Sequence, residues 1–194
     1  MTAVAPRREQ ILEAAARLFR ERGFHATSVR DIADAVGLQG GSLYAHVQSK
    51  DEVLWEIVKE SADRFFRALR PVVASDRDTL TKLREAILVH VNVITEDLDA
   101  AAVYTTEWRH LPEPRRSEFA AWRDEYEQLF RSLVHQGMRE GHLSPVDEGY
   151  ATLFILSALN YVYLWFRPEG RMGSEAVARM MADFIFNGLR RRTT

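Results

Sequence analysis

Apolar residues recur at helical spacing along almost the whole of this 194-residue chain, and no stretch alternates at period two for long enough to make a strand. That pattern restricts it to an all-α fold. Ile11, Ala15, Leu18 and Phe19 form a first stripe, and Gly23 is placed to end that helix. Thr27 stands at the N-cap of a second helix, with Arg30 and Asp31 in its first turn, Val29, Ile32, Ala33 and Val36 facing inward, and Gly37 stopping it. A third, very short helix falls between Gln39 and Val47. Ser49 caps a fourth, whose Asp51 and Glu52 suit its positive end, and which runs towards the breaker Pro71. Further helices are expected over about 76–97, 100–110, a long stretch ending at Gly141, 146–166 after Ser144-Pro145, and from a cap at Ser174 to the end. No repeat or flexible linker interrupts them.

Composition removes several functional classes. There is no cysteine, so disulfides and thiolate metal sites are excluded, in keeping with a reducing cytoplasm. Met1 to Gln10 lacks the apolar segment of a secretory signal. The longest apolar run, Ala151 to Phe166, contains Ser157 and Asn160 and falls short of the ~20 residues of a spanning helix, so it reads as buried. Six histidines show no His-Glu-x-x-His spacing, and neither a Gly-x-Ser-x-Gly elbow nor a phosphate loop is present. No catalytic residue, metal site or cofactor is expected.

The informative stretch runs from Thr27 to Lys50. Two short helices about a Gly-containing turn have helix-turn-helix geometry, in which the first braces across the DNA backbone and the second enters the major groove. Gly40, Gly41 and Ser42 leave the second helix with a bare leading edge that lets its backbone approach base edges. Tyr44 and His46 can donate to phosphates, and Lys50 sits beside Ser49 at another helix start. The first 60 residues hold eight Lys or Arg against nine Asp or Glu. A grip on DNA must therefore come from placed side chains and helix N-termini rather than bulk attraction. Gly-rich helical turns occur elsewhere; position near the N-terminus, the caps and Ser49-Lys50 together select the DNA reading.

From about Arg8 to Ile57 the sequence resembles the TetR-type repressor family, through Ala33-Asp-Ala-Val-Gly, Gly41-Ser-Leu-Tyr and Ser49-Lys50. The resemblance implies an N-terminal three-helix DNA-binding domain, residues 1–50, and a larger helical ligand-binding and dimerisation domain, residues 51–194. It implies that Thr27, Gly41, Ser42, Tyr44, His46 and Lys50 lie where the family touches DNA. Two departures stand out: Gly40 where Lys or Arg is common, and Val47 where an aromatic is common. The first shifts specificity towards Gln39, which can pair with adenine in bidentate fashion.

In the body, Tyr150, Leu153, Phe154, Leu156, Leu159, Tyr161, Val162 and Trp165 cover more than one face of a helix, which must be buried on several sides. The resemblance implies a homodimer through the last two helices, setting two reading helices one DNA turn apart on a palindromic operator. His90, Tyr104, Trp108, Arg109, Trp122, Tyr126 and Asn160 are polar or aromatic positions on otherwise apolar helices, as in small-molecule pockets. The segment Trp108-Arg109-His110-Leu111-Pro112 resembles the subgroup that answers to acyl-CoA thioesters and related apolar acids, with Arg109, or Arg115 and Arg116, meeting a phosphate or carboxylate. The expectation is a ligand-released cytoplasmic repressor that does not enter a membrane. A DNA-binding activator of the same fold and a helical carrier without DNA binding are the alternatives.

Overall fold

The computed structural model describes residues 7–189, and among these every regular element is helical. The order is α1 (Arg7–Arg22), α2 (Val29–Ala35), α3 (Gly40–Leu43), α4 (Lys50–Ala74), α5 (Thr79–Glu96), α6 (Leu98–Thr106), a 3-10 turn (Glu107–His110), α7 (Arg115–Arg139), α8 (Glu148–Asn160), α9 (Val162–Trp165) and α10 (Ser174–Leu189). They form two compact units, one of described residues up to Ala62 together with Leu98–Ala120, the other of Asp63–Asp97 together with the described residues from Ala121 on. Helices α4 and α7 each contribute to both.

In the first unit α1 packs against α6 and α2, and α2 against α3. Ile11, Phe19, Ile32, Leu43 and Leu54 are fully buried there. Gly23 (φ +84°) and Gly37 (φ +66°) end α1 and α2 in the left-handed conformation that side chains disfavour, with Leu38 N–H returning to Ala33 O at 2.9 Å. The cap of α2 is Ser28, one residue beyond the expected Thr27. Its hydroxyl accepts from Asp31 N–H at 3.1 Å, and the Asp31 carboxylate accepts from Ser28 N–H at 2.7 Å. The Ser28 hydroxyl, then its backbone N–H, hold the Asp31 carboxyl below its usual pKa.

In the second unit α5 packs against α8, α9 and α10. Its buried face includes Leu83, Ile87, Val91 and Ile94 at helical spacing. Two boundaries differ from expectation. Pro71 does not end α4, which continues to Ala74. A proline in the last turn forfeits one backbone hydrogen bond near a helix end, while Phe65, Phe66 and Leu69 just before it are buried and anchor the segment. The apolar stretch expected as one helix over 146–166 is two pieces, opened by an Asp147 cap and broken at Tyr161.

Candidate DNA-reading head and buried polar cluster

The chain between α1 and α4 carries most of the expected DNA contacts, and the structure divides them. Gln39, Ser42 and Tyr44 are exposed, and Tyr44 keeps 57% of its surface. Gln39 holds the N-cap position of α3 without a side-chain cap bond, so its amide is not spent on the helix. Helix α3 runs through Gly40 and Gly41, whose surroundings lie outside what is described. His46 is half-buried and its carbonyl accepts from Arg8 Nη1 at 3.1 Å. Val47 is buried, so an apolar aliphatic replaces the usual aromatic as core packing.

Thr27 and Lys50 point elsewhere. Thr27 is 1% exposed and its hydroxyl donates to Gly23 O at 3.0 Å and Leu18 O at 3.3 Å. Lys50 Nζ donates to Phe24 O and Thr27 O, both at 2.8 Å, and lies 4.3 Å from the centroid of the Phe24 ring. An ammonium shared between two inward carbonyls and an aromatic face is an internal clamp. Both side chains thus have internal partners that position the head. Phe24 is held from its other side as well: its N–H donates to Glu107 Oε2 at 2.9 Å, and its ring stacks on His110. His110 Nδ1 in turn lies 2.9 Å from His25 Nε2. The 3-10 turn after α6 is thus tied to the loop that precedes α2, a junction spanning more than 80 residues of sequence that no local pattern announces.

The candidate ligand residues fall into two groups, one in each unit. In the first unit Tyr104 and Trp108 share Phe119, at ring separations of 5.2 and 5.5 Å, and the exposed Arg109 guanidinium sits 4.9 Å from the Trp108 ring. In the second unit His90 Nδ1 lies 3.0 Å from the Tyr126 hydroxyl, inside a shell of Phe65 and Phe130. Burial pushes the His90 imidazole down to about 3; the Asn160 side chain opposes that shift and the Arg123 charge reinforces it. His90, Tyr126 and Asn160 therefore form one neutral polar cluster in an aromatic core. Trp122 is half-buried on α7. Among the described residues no group of three His, Asp or Glu side chains is placed to hold a metal ion, and no helix is long and apolar enough to cross a membrane.

Residues 11–57 match the family model for bacterial regulatory proteins of the tetR family, and residues 76–189 match that for a tetracyclin repressor-like C-terminal domain. The chain belongs to the TetR family. Within it, this regulator is 33% identical over 185 residues to the HTH-type transcriptional repressor KstR2 of Rhodococcus jostii (strain RHA1), covering 94% of this chain and 91% of that one. The structure of the ketosteroid transcriptional regulator KstR2 of Mycobacterium tuberculosis superposes with a TM-score of 0.91 at 30% identity, over 98% of each chain. AibR, in complex with isovaleryl coenzyme A and operator DNA, gives a TM-score of 0.82 at 27% identity, covering 93% of this chain and 98% of that one. The all-helical fold with an N-terminal helix-turn-helix is thereby that of a DNA-binding transcription regulator.

Two outcomes follow from this geometry. Lys50→Met removes a charged donor from two carbonyls and is expected to cost about 2 kcal/mol in urea denaturation, together with operator affinity; an unchanged melting curve with weakened binding would return Lys50 to the DNA surface. His90 is neutral when folded and titrates near the ordinary histidine value when unfolded, so the unfolded chain binds the extra proton between those values and stability falls with pH below about 6.5. From pH 7 to pH 5 the loss attributable to His90 is about 2 kcal/mol. In His90→Gln the wild-type slope should flatten over that range, and an equal slope in both proteins would refute the assignment.

Proposed function

We propose that this chain is a ligand-responsive dimeric repressor that binds a palindromic operator through residues about 40–47 and is released by a small-molecule effector, an acyl-CoA thioester or a related apolar acid. Residues 1–50 are its DNA-binding part, and 51–194 its sensing and dimerisation part. Its site of action is the cytoplasm, where the operator is. The observation that carries the reading is the exposed edge of Gln39, Ser42 and Tyr44 on a head in which Thr27 and Lys50 are bonded internally. The relatives named as repressors support the direction of regulation.

Dimerisation is supported by surface that water should not keep. Tyr150, Leu153 and Phe154 on α8, Tyr161 at the break, and Leu164 and Trp165 on α9 are exposed, as is Phe184 on α10 at 77%. Contiguous apolar surface of this kind marks an interface, and a two-fold one pairs the same helices from both copies. The effector class is supported by AibR's complex with isovaleryl coenzyme A.

Phe154→Asp is expected to yield monomers by light scattering and at least a tenfold weaker gel shift with the promoter regions of its own and neighbouring genes; a dimer of undiminished affinity would count against the seam. An acyl-CoA panel at about 100 times Kd should stabilise the protein by about 2.7 kcal/mol and release the operator. Stabilisation without release would leave the ligand a passenger and remove the repressor mechanism.

A further inference from the structure

Two histidines far apart in sequence meet at the base of the reading head. His25, in the loop before α2, and His110, at the end of the 3-10 turn, are both exposed. His25 Nε2 nevertheless lies 2.9 Å from His110 Nδ1, with the ring centroids 4.2 Å apart. At that separation one of the two nitrogens must carry a proton and the other must be bare. The far nitrogen of His110, Nε2, lies 3.8 Å from Glu107 Oε2, the oxygen that also accepts the Phe24 N–H. His110 stacks on Phe24, whose ring already holds the Lys50 ammonium of α4 at 4.3 Å. On the flanking elements Arg20 of α1 is paired with Asp99 of α6, Arg22 of α1 with Asp31 of α2, and Arg109 of the turn lies against the Trp108 ring. Glu107 is the carboxylate that faces the pair.

Resting on the DNA-binding reading above, we propose that the His25–His110 pair is an acid-sensitive latch, which holds the reading head to the turn after α6 while at most one ring is protonated and weakens operator binding when both are. The first proton suits the pair. A protonated His110 donates its Nδ1–H to a bare His25 Nε2 and turns its Nε2–H towards Glu107. A second proton puts an N–H on each of the facing nitrogens. The hydrogen bond is then lost, two positive rings stand 4.2 Å apart, and Lys50 adds a third charge on the Phe24 ring beside them. Separated rings take both protons without that penalty. The open junction therefore binds more protons than the closed one, and lowering the pH favours opening. The loop so released is the one that leads into α2 and, through it, α3.

The test uses the full chain as wild type, His25→Gln and Glu107→Gln between about pH 8 and pH 5.5, within the span over which imidazoles ordinarily change charge. A glutamine amide stays uncharged and still donates to His110, and His25 is exposed, so His25→Gln should melt with the wild type. By NMR of the imidazole C–H signals, the two rings should titrate in linked steps in the wild type, and His110 in a single step in His25→Gln. By fluorescence anisotropy on the operator, wild-type affinity should fall across the range by about fivefold more than that of His25→Gln, the lower end of ordinary coupling between sites. His46 and His90 are present in both proteins and cancel. Glu107→Gln keeps an acceptor for the Phe24 N–H and removes the opposing carboxylate, so its loss should begin at higher pH than that of the wild type. Independent titration of the two rings would overturn the proposal, as would an equal pH dependence of operator binding in wild type and His25→Gln. A wild type that binds no duplex sequence-specifically at any pH, its ring signals still linked, would instead overturn the DNA-binding reading on which this one stands.

Discussion

The reading head is organised around the peptide groups of Phe24. A loop between two helices turns carbonyls into the protein where no helical donor reaches them, and a buried carbonyl without a partner is costly. Lys50 adds to the Thr27 N–H that already reaches Phe24 O, donating to Phe24 O and to Thr27 O while its ammonium rests against the Phe24 ring. Since Lys50 opens α4 and Phe24 follows α1, the clamp fixes the two ends of the segment that carries α2 and α3. Glu107 takes the Phe24 N–H from the other direction. Only with its ends held in this way can so short a helix as α3 keep Gln39, Ser42 and Tyr44 in solvent and in register. Four helical residues have too few backbone bonds to be stable alone.

The second unit satisfies a different constraint. Helix α8 is apolar nearly all round: Ala151, Ile155 and Leu159 face the core, and Tyr150, Leu153 and Phe154 face out. Core burial explains the first set and leaves the second without a reason inside the monomer. The polar exceptions are placed just as selectively. His90, Tyr126 and Asn160 come from three helices to one cluster, in which the buried imidazole stays neutral and its Nδ1 meets the Tyr126 hydroxyl, while its Nε2 has no hydrogen-bond partner among the described residues.

Features set by local spacing were legible in the sequence. The glycine stops at Gly23 and Gly37, the buried stripe of α5 and the short α3 all lie where the pattern puts them, because each depends on residues within a turn or two. The internal bonds of Thr27 and Lys50 were not legible for the opposite reason. A threonine before a helix and a lysine at a helix start look available until the partners appear, and Lys50's acceptors lie 26 and 23 residues back along the chain. The His25–His110 contact and the His90 cluster close over still longer separations that no periodicity encodes.

The folded charge set explains how a head with more acidic than basic residues can serve DNA. Internal pairs such as Arg8 with Glu56 and Arg20 with Asp99 neutralise charge locally, so the head projects little net field towards a duplex. Non-specific affinity, which depends on cations displacing counterions, should then be low. A single head has only a few directional contacts to offer, from α3 and its rim. Two heads held at fixed spacing multiply those contacts without adding any, because the second binds at the effective concentration set by the first. The bare reading edge and the apolar seam are therefore complementary requirements. Weak bulk attraction favours selectivity in the head, and pairing two heads as proposed above would make that selectivity strong enough to be useful.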